Sequence, residues 1–229
     1  MAFQSEEYWE IRRELLKANL IQTGRGRGGS VARTTEAPEK KIEVPKGYVE
    51  NEKDLYKPLE KWLDDNYGHD PKESGDFFKV KITGGPSGHK RDSGQWSRPD
   101  LVMVQVNKFD FLQGCTLEVT TFEVKQHADE DDLRSVYEAA AHTRWAHNAY
   151  LVIEVPNAEY PVNERTTTEL ARFNIGLLAI YRKNGGYECI EKLEPIRHEP
   201  DPKELNQLLK IFFQEEEILQ KQYKSFIGK

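Results

Sequence analysis

Three charged residues stand inside sequence that otherwise reads as β-strand. They are Asp100, directly after Pro99, and Glu123 with Lys125 at the end of "TLEVTTFEVK". Side chains alternate across a strand, so Glu123 and Lys125 point to one face while Phe122 and Val124 point to the other and pack. Pro99 suits the opening position of a strand. If the strand beginning near Asp100 pairs with the strand ending at Lys125, the two carboxylates come close. Neighbouring carboxylates repel and lose hydration unless something cationic lies between them. Lys125 is one such cation. A hard divalent ion, Mg²⁺ or Mn²⁺, does better because it takes oxygen ligands and keeps waters. Asp100, Glu123 and the backbone carbonyl of Val124 are its candidate ligands. These residue types suit phosphodiester hydrolysis: the cation polarises a phosphoryl oxygen and acidifies a water, and the lysine orients that water and steadies developing charge. The same residues also fit a plainer reading, a solvent-facing strand with a surface Glu–Lys pair.

Other chemistries find little support. There is no convincing nucleophilic triad, and "GGPSGHKRDS" lacks the spacing of a phosphate-cradling P-loop. The two cysteines, Cys115 and Cys189, lie in apolar, strand-like sequence and read as reduced core thiols, and no Cys/His cluster has zinc spacing.

Pro99-Asp100 followed about twenty residues later by Glu123-Val124-Lys125 resembles the PD-(D/E)xK signature of restriction-endonuclease-like nucleases. The resemblance extends over residues 51–195. More narrowly, "EKDLYKPLEKWL", "WSRPDLV", "FEVKQ" and "RWAHNAYLV" resemble bacterial proteins linked to restriction loci, which join a helix-turn-helix-type region to such a domain. The resemblance implies a metal-dependent DNA endonuclease of restriction, defence or DNA processing. It implies Mg²⁺ or Mn²⁺ at Asp100, Glu123 and Val124, and catalytic roles for Asp100, Glu123, Lys125 and Gln126. Relatives often add a glutamate from the first helix. Glu52, in an E-x-x-L-x-x-x-L pattern with Leu55 and Leu59, is preferred here, with Glu60 as the alternative. Glu138 stands where relatives often carry glutamine, which leaves a role for it open. Such nucleases often dimerise to cut both strands.

These residues need elements to position them. Residues 51–68 have Leu55, Leu59, Trp62 and Leu63 on one helical face, with Pro58 acceptable if the first turn starts near Asp54. Strands are expected at 76–82, 100–106, 116–125, 149–155, 175–182 and 187–193. Helices are expected at 129–147 and 163–174, and one long helix at 201–227, opened by Asp201, Pro202 and Glu204. The apolar stripe of that long helix (Leu205, Leu208, Leu209, Phe212, Ile218, Leu219) packs on the core or on a partner, such as a second copy. Trp145 and Tyr137 read as core. The order predicts an α/β fold, a mixed sheet with helices on its faces.

Residues 1–34 precede a proline-containing linker at 35–50. A helix at 5–19, then strands around "GRGRGG", resembles the last helix and wing of a winged-helix domain, although the two further helices of a complete one do not precede them. Arg25 and Arg27 at the tip suit a minor groove; a flexible Gly/Arg segment is the alternative. The loop at 84–98 carries His89, Lys90, Arg91 and Arg98, which suit phosphate contacts without sequence readout, or simply a solvated loop.

The chain has 229 residues, 37% hydrophobic and 31% charged, with net charge -6. That balance argues against general nucleic-acid binding but permits a local basic surface. No apolar run approaches membrane-span length, and the opening "MAFQSEEYWEIRREL" lacks an apolar leader stretch, which predicts a cytoplasmic protein. The competing function is a catalytically silent DNA-binding module, or a complex subunit, that keeps the nuclease fold and works through the arginine wing.

Overall fold

The computed structural model describes residues 21–23, 31–33, 48–49, 51–68, 76–84, 98–109, 111, 113–127 and 132–228. The chain divides into two compact units, Met1–Glu43 and Val44–Lys229. In the first, β1 (Ile21–Thr23) pairs antiparallel with β2 (Val31–Arg33), the hairpin expected around the glycine-rich turn. Arg25, Arg27 and the expected helix at 5–19 lie outside the described residues, as does the linker up to residue 47.

The second unit is an α/β sandwich around one six-stranded mixed sheet. The strands are β3 (Phe77–Ile82), β4 (Leu101–Lys108), β5 (Cys115–Lys125), β6 (Asn148–Glu154), β7 (Gly176–Lys183) and β8 (Gly186–Leu193), adjacent in that order. β3, β4 and β5 form an antiparallel meander; β5, β6 and β7 run parallel; β8 returns antiparallel. The β7–β8 turn uses Asn184 and Gly185, both at positive φ (50° and 80°), the backbone that matches the twist of a two-residue hairpin.

One sheet face is covered by a 3₁₀ turn (Glu52–Leu55) running into α1 (Tyr56–Tyr67). Leu55, Leu59 and Leu63 pack there on Leu101, Met103, Phe122, Val124 and Val152. Pro58 falls in the first turn of α1, where its missing N–H costs nothing. The other face is covered by α2 (Leu133–Ala141) and α3 (Glu164–Arg172), capped by Asp132 and Asn163, and by α4 (Pro202–Phe212) and α5 (Glu217–Phe226). A 3₁₀ turn, His142–Arg144, extends α2. Strand alternation separates the two faces: Leu101, Met103, Phe122 and Val124 meet α1, while on the other face Val102, Val104 and Val119 meet Leu208 and Phe212 and, beside them, Leu151 and Ile153 meet Val136 and Leu170.

The single long C-terminal helix does not form. It is broken between α4 and α5, with Glu215 at φ 65°. The break lets consecutive Phe212 and Phe213 both enter the core, where Phe213 and Tyr223 close around Phe77. Lys81 secures it from β3. Its ammonium donates to the Phe212 carbonyl (3.1 Å) and pairs with Glu216 (2.9 Å), a cation placed on the last carbonyls of a helix. The apolar stripe therefore packs on the chain's own core, and Ile218 is left 77% exposed. Trp145 is core as expected, but Tyr137 is not. It stays 44% exposed, its ring edge-on to Phe173, because it lies on the outer side of α2 from Val136 and Ala139. Both cysteines are free thiols. Among the described residues no helix is long and apolar enough to cross a membrane.

Candidate active site

Asp100 immediately precedes β4, and Glu123 and Lys125 end β5. The β4–β5 pairing closes at Leu101 opposite Phe122, so the backbone of β5 beyond Phe122 has no β4 residue facing it. The Asp100 side chain fills that place: Val124 N–H donates to its Oδ2 at 2.8 Å. In an extended strand a residue's N–H and C=O point to the same side, so the Val124 carbonyl also faces the Asp100 edge. Asp100 is clasped from the loop after β3. Thr83 and Gly84 N–H donate to its carbonyl (2.8 and 2.9 Å), and Thr83 Oγ1 donates to the Pro99 carbonyl (2.6 Å). A Cβ on Gly84 would lie 2.7 Å from Asp100 Oδ1, so this close approach needs glycine. The Tyr56 hydroxyl donates to Oδ1 from α1.

Glu123 is 7% exposed and Asp100 9%. Lys125 Nζ sits 2.6 Å from Glu123 Oε1, 3.1 Å from Glu138 Oε2 and 3.6 Å from Glu52 Oε2. Three carboxylates thus surround one ammonium. Burial pushes Asp100 above the usual carboxylate range, against the hydrogen bonds from Tyr56 and Val124. Burial pushes Glu123 further up, and the Asp100 charge adds to it. Burial alone would lower Lys125, but Glu123 and Glu52 outweigh it and hold the group as an ammonium. It is therefore a donor and a positive charge, not a base. Burial opposes the charge on Glu138 as well, yet the bond from Lys125 wins and keeps it a carboxylate.

Of the expected site residues, the fold brings together Glu52, Asp100, Glu123, Lys125 and the Val124 backbone. It brings Glu52 rather than Glu60 to Lys125; Glu60 pairs with Lys57 instead. Gln126 follows Lys125, and its Oε1 is buried without a hydrogen-bond partner among the described residues. Arg98 is exposed two residues before Asp100. His89, Lys90 and Arg91 lie outside the described residues. Two helical pairs escaped the sequence reading: Tyr56, one turn after Glu52, and His142, one turn after Glu138. The signal available was the i,i+4 spacing of polar residues on faces that otherwise pack. His142 is 3% exposed; burial holds it down at about 4, so its Nε2, 3.8 Å from Glu123 Oε2, belongs to a neutral ring rather than an ion pair.

Family profiles, curated proteins and solved structures all returned no match. The site's chemistry must be judged from its own donors. Among the described residues no group of three or more His, Cys, Asp or Glu side chains is arranged to hold a metal. The available set is two carboxylates and one carbonyl, all oxygen. Mg²⁺ is commonly held by one or two carboxylates, with waters and substrate oxygens completing its shell. The donors fit such an ion, and two buried carboxylates that resist ionising together gain most from one.

Proposed function

We propose that this chain is a metal-dependent endonuclease that hydrolyses DNA phosphodiester bonds, built on a restriction-endonuclease-like form of the α/β sandwich. The observation that carries this reading is the pairing of Asp100, at the start of β4 and bonded to the Val124 N–H, with Glu123 and a charged Lys125 on β5. Asp100, Glu123 and the Val124 carbonyl would hold a divalent cation, which supplies Lewis acidity to the phosphoryl group and acidity to a water. Tyr56 and the Thr83–Gly84 amides fix Asp100 so that its carboxylate cannot rotate away. Lys125 offers its ammonium protons to the oxygen that gains charge as the bond to the leaving group breaks. Exposed Arg98 beside Asp100 suits a phosphate of the same strand.

A binding module that had lost its chemistry would be free to turn Lys125 away from the acids. Instead the ammonium is 2.6 Å from Glu123, which favours the enzyme. Supercoiled plasmid incubated with Mg²⁺, Mn²⁺ or EDTA, beside Asp100→Ala and Lys125→Ala, tests this. Metal-dependent nicking lost in both variants is expected. Plain, methylated and branched DNA all left uncut by the wild type would sink the reading in favour of a DNA-binding module.

A further inference from the structure

We infer that Glu138 is a positioning residue that holds the Lys125 ammonium when Glu123 is given up to a cation. This rests on the reading of Asp100 and Glu123 as cation ligands. Glu123 Oε1 is the nearest partner of Lys125, at 2.6 Å. An oxygen turned to a divalent cation is no longer available to the lysine in the same way, so the ammonium needs a second anchor to stay aimed at the site. Glu138 supplies it at 3.1 Å from α2, an element that carries none of the proposed ligands. Its other oxygen accepts from Arg134 Nε at 3.1 Å one turn away, which fixes the carboxylate's orientation. Glu52 is a weaker anchor, at 3.6 Å and itself within 3.4 Å of the Tyr56 hydroxyl. Glutamine in place of Glu138 retains an acceptor oxygen at the same reach, whereas alanine retains none.

The lysine itself gives a readout independent of cleavage. In the full chain labelled with ¹⁵N-lysine, a buried, anchored ammonium gives a slowly exchanging side-chain signal, which Lys125→Met assigns. Glu123→Ala removes the near anchor without any metal. The Lys125 signal should survive in Glu123→Ala, vanish in Glu123→Ala/Glu138→Ala, and return in Glu123→Ala/Glu138→Gln, which also controls for folding. With saturating Mg²⁺ on otherwise wild-type protein, Glu138→Ala should lose the signal and Glu138→Gln keep it. Glu138→Ala should lower kcat for plasmid by about tenfold to a hundredfold, the scale of a misplaced catalytic group. Its KM should stay unchanged, and glutamine should recover most of the rate. Persistence of the signal in Glu123→Ala/Glu138→Ala would assign the anchor to Glu52 and overturn the proposal. Weaker Mg²⁺ binding by Glu138→Ala would overturn it too, by making Glu138 a cation ligand. If the wild type neither cuts DNA nor binds Mg²⁺, the metal-free arm still decides the anchor while the nuclease reading falls.

Discussion

Glu123 and Glu154 are both glutamates buried in the parallel part of the sheet, on adjacent strands, and they live differently. Glu154 is 1% exposed, and each of its oxygens accepts from the Val49 N–H at 3.2 Å. Burial pushes it up, but that amide pulls it back, and the bond ties the segment leading to Glu52 onto β6. Glu123 is also pushed up by burial, yet the next largest influence is another carboxylate, Asp100, driving it the same way. One acid is completed by the fold. The other shares the Lys125 ammonium with Glu138 and Glu52, and under the proposed function a divalent cation would complete it. Burial alone therefore does not mark a functional acid; what the fold supplies to its oxygens does.

Substitutions at the two positions test that contrast. The largest effect is expected in cleavage: Glu123→Gln should lower the metal-dependent rate by at least about a hundredfold, as for loss of a preorganised charge. Glu154→Gln should leave the rate near wild type; equal losses in plasmid assays would erase the distinction. Next comes the response to metal. Mg²⁺ at about a hundred times its Kd should stabilise the wild type by about 2.7 kcal/mol, read as a rise in Tm. Because Asp100 and Glu123 are both raised, protons compete with the cation at low pH, so the rise should be greater at pH 8 than at pH 6. It should persist in Glu154→Gln and disappear in Glu123→Gln.

Metal-free stability should then separate the pair in the opposite sense. Glu123 binds its proton more tightly folded than unfolded. Its contribution to stability is full below the unfolded value of about 4.3 and is lost as pH rises toward the raised folded value. Glu123→Gln removes that loss, so in urea melts the variant should match or exceed wild type at pH 8 and gain nothing at pH 4. Glu154→Ala leaves the Val49 amide unpaired and should cost about 1–3 kcal/mol. The smallest effect is expected from Tyr56→Phe, which removes one donor from Asp100, costs about 1 kcal/mol, and slows cleavage less than Glu123→Gln does. A Tyr56→Phe rate as low as that of Glu123→Gln would make Tyr56 part of the chemistry rather than a brace.

The strand residues of the site were legible because a two-residue alternation fixes which side chains share a face. Glu123 and Lys125 had to stand together if β5 was a strand at all. Glu52 was legible only through the resemblance, whose E-x-x-L-x-x-x-L pattern it completes with Leu55 and Leu59, and Glu60 stayed open beside it. Tyr56, Glu138 and His142 were obscured because their meaning depends on how α1 and α2 are rotated against the sheet, which packing decides. Gly84 hid for a similar reason: only contact with Asp100 shows why a side chain is unwelcome there. The break between α4 and α5 was illegible for another reason. "FFQEEE" contains no glycine or proline to announce it, and the lysine that caps it lies 131 residues away in sequence.

β5 carries Glu123 and Lys125 between two neighbours, antiparallel to β4 and parallel to β6. Its register is thus set from both edges, and a slip of one residue would send every side chain to the opposite face. The cluster also gathers residues from Glu52 to His142, so no short stretch of chain contains a rudimentary site. A nascent chain ending before β6 would lack the second template for β5. The same holds for a mature one in which β6 has peeled away: such molecules bear all the acids and the lysine but no assembled centre. Under the proposed function, competence to cut would arrive and depart with the finished sheet.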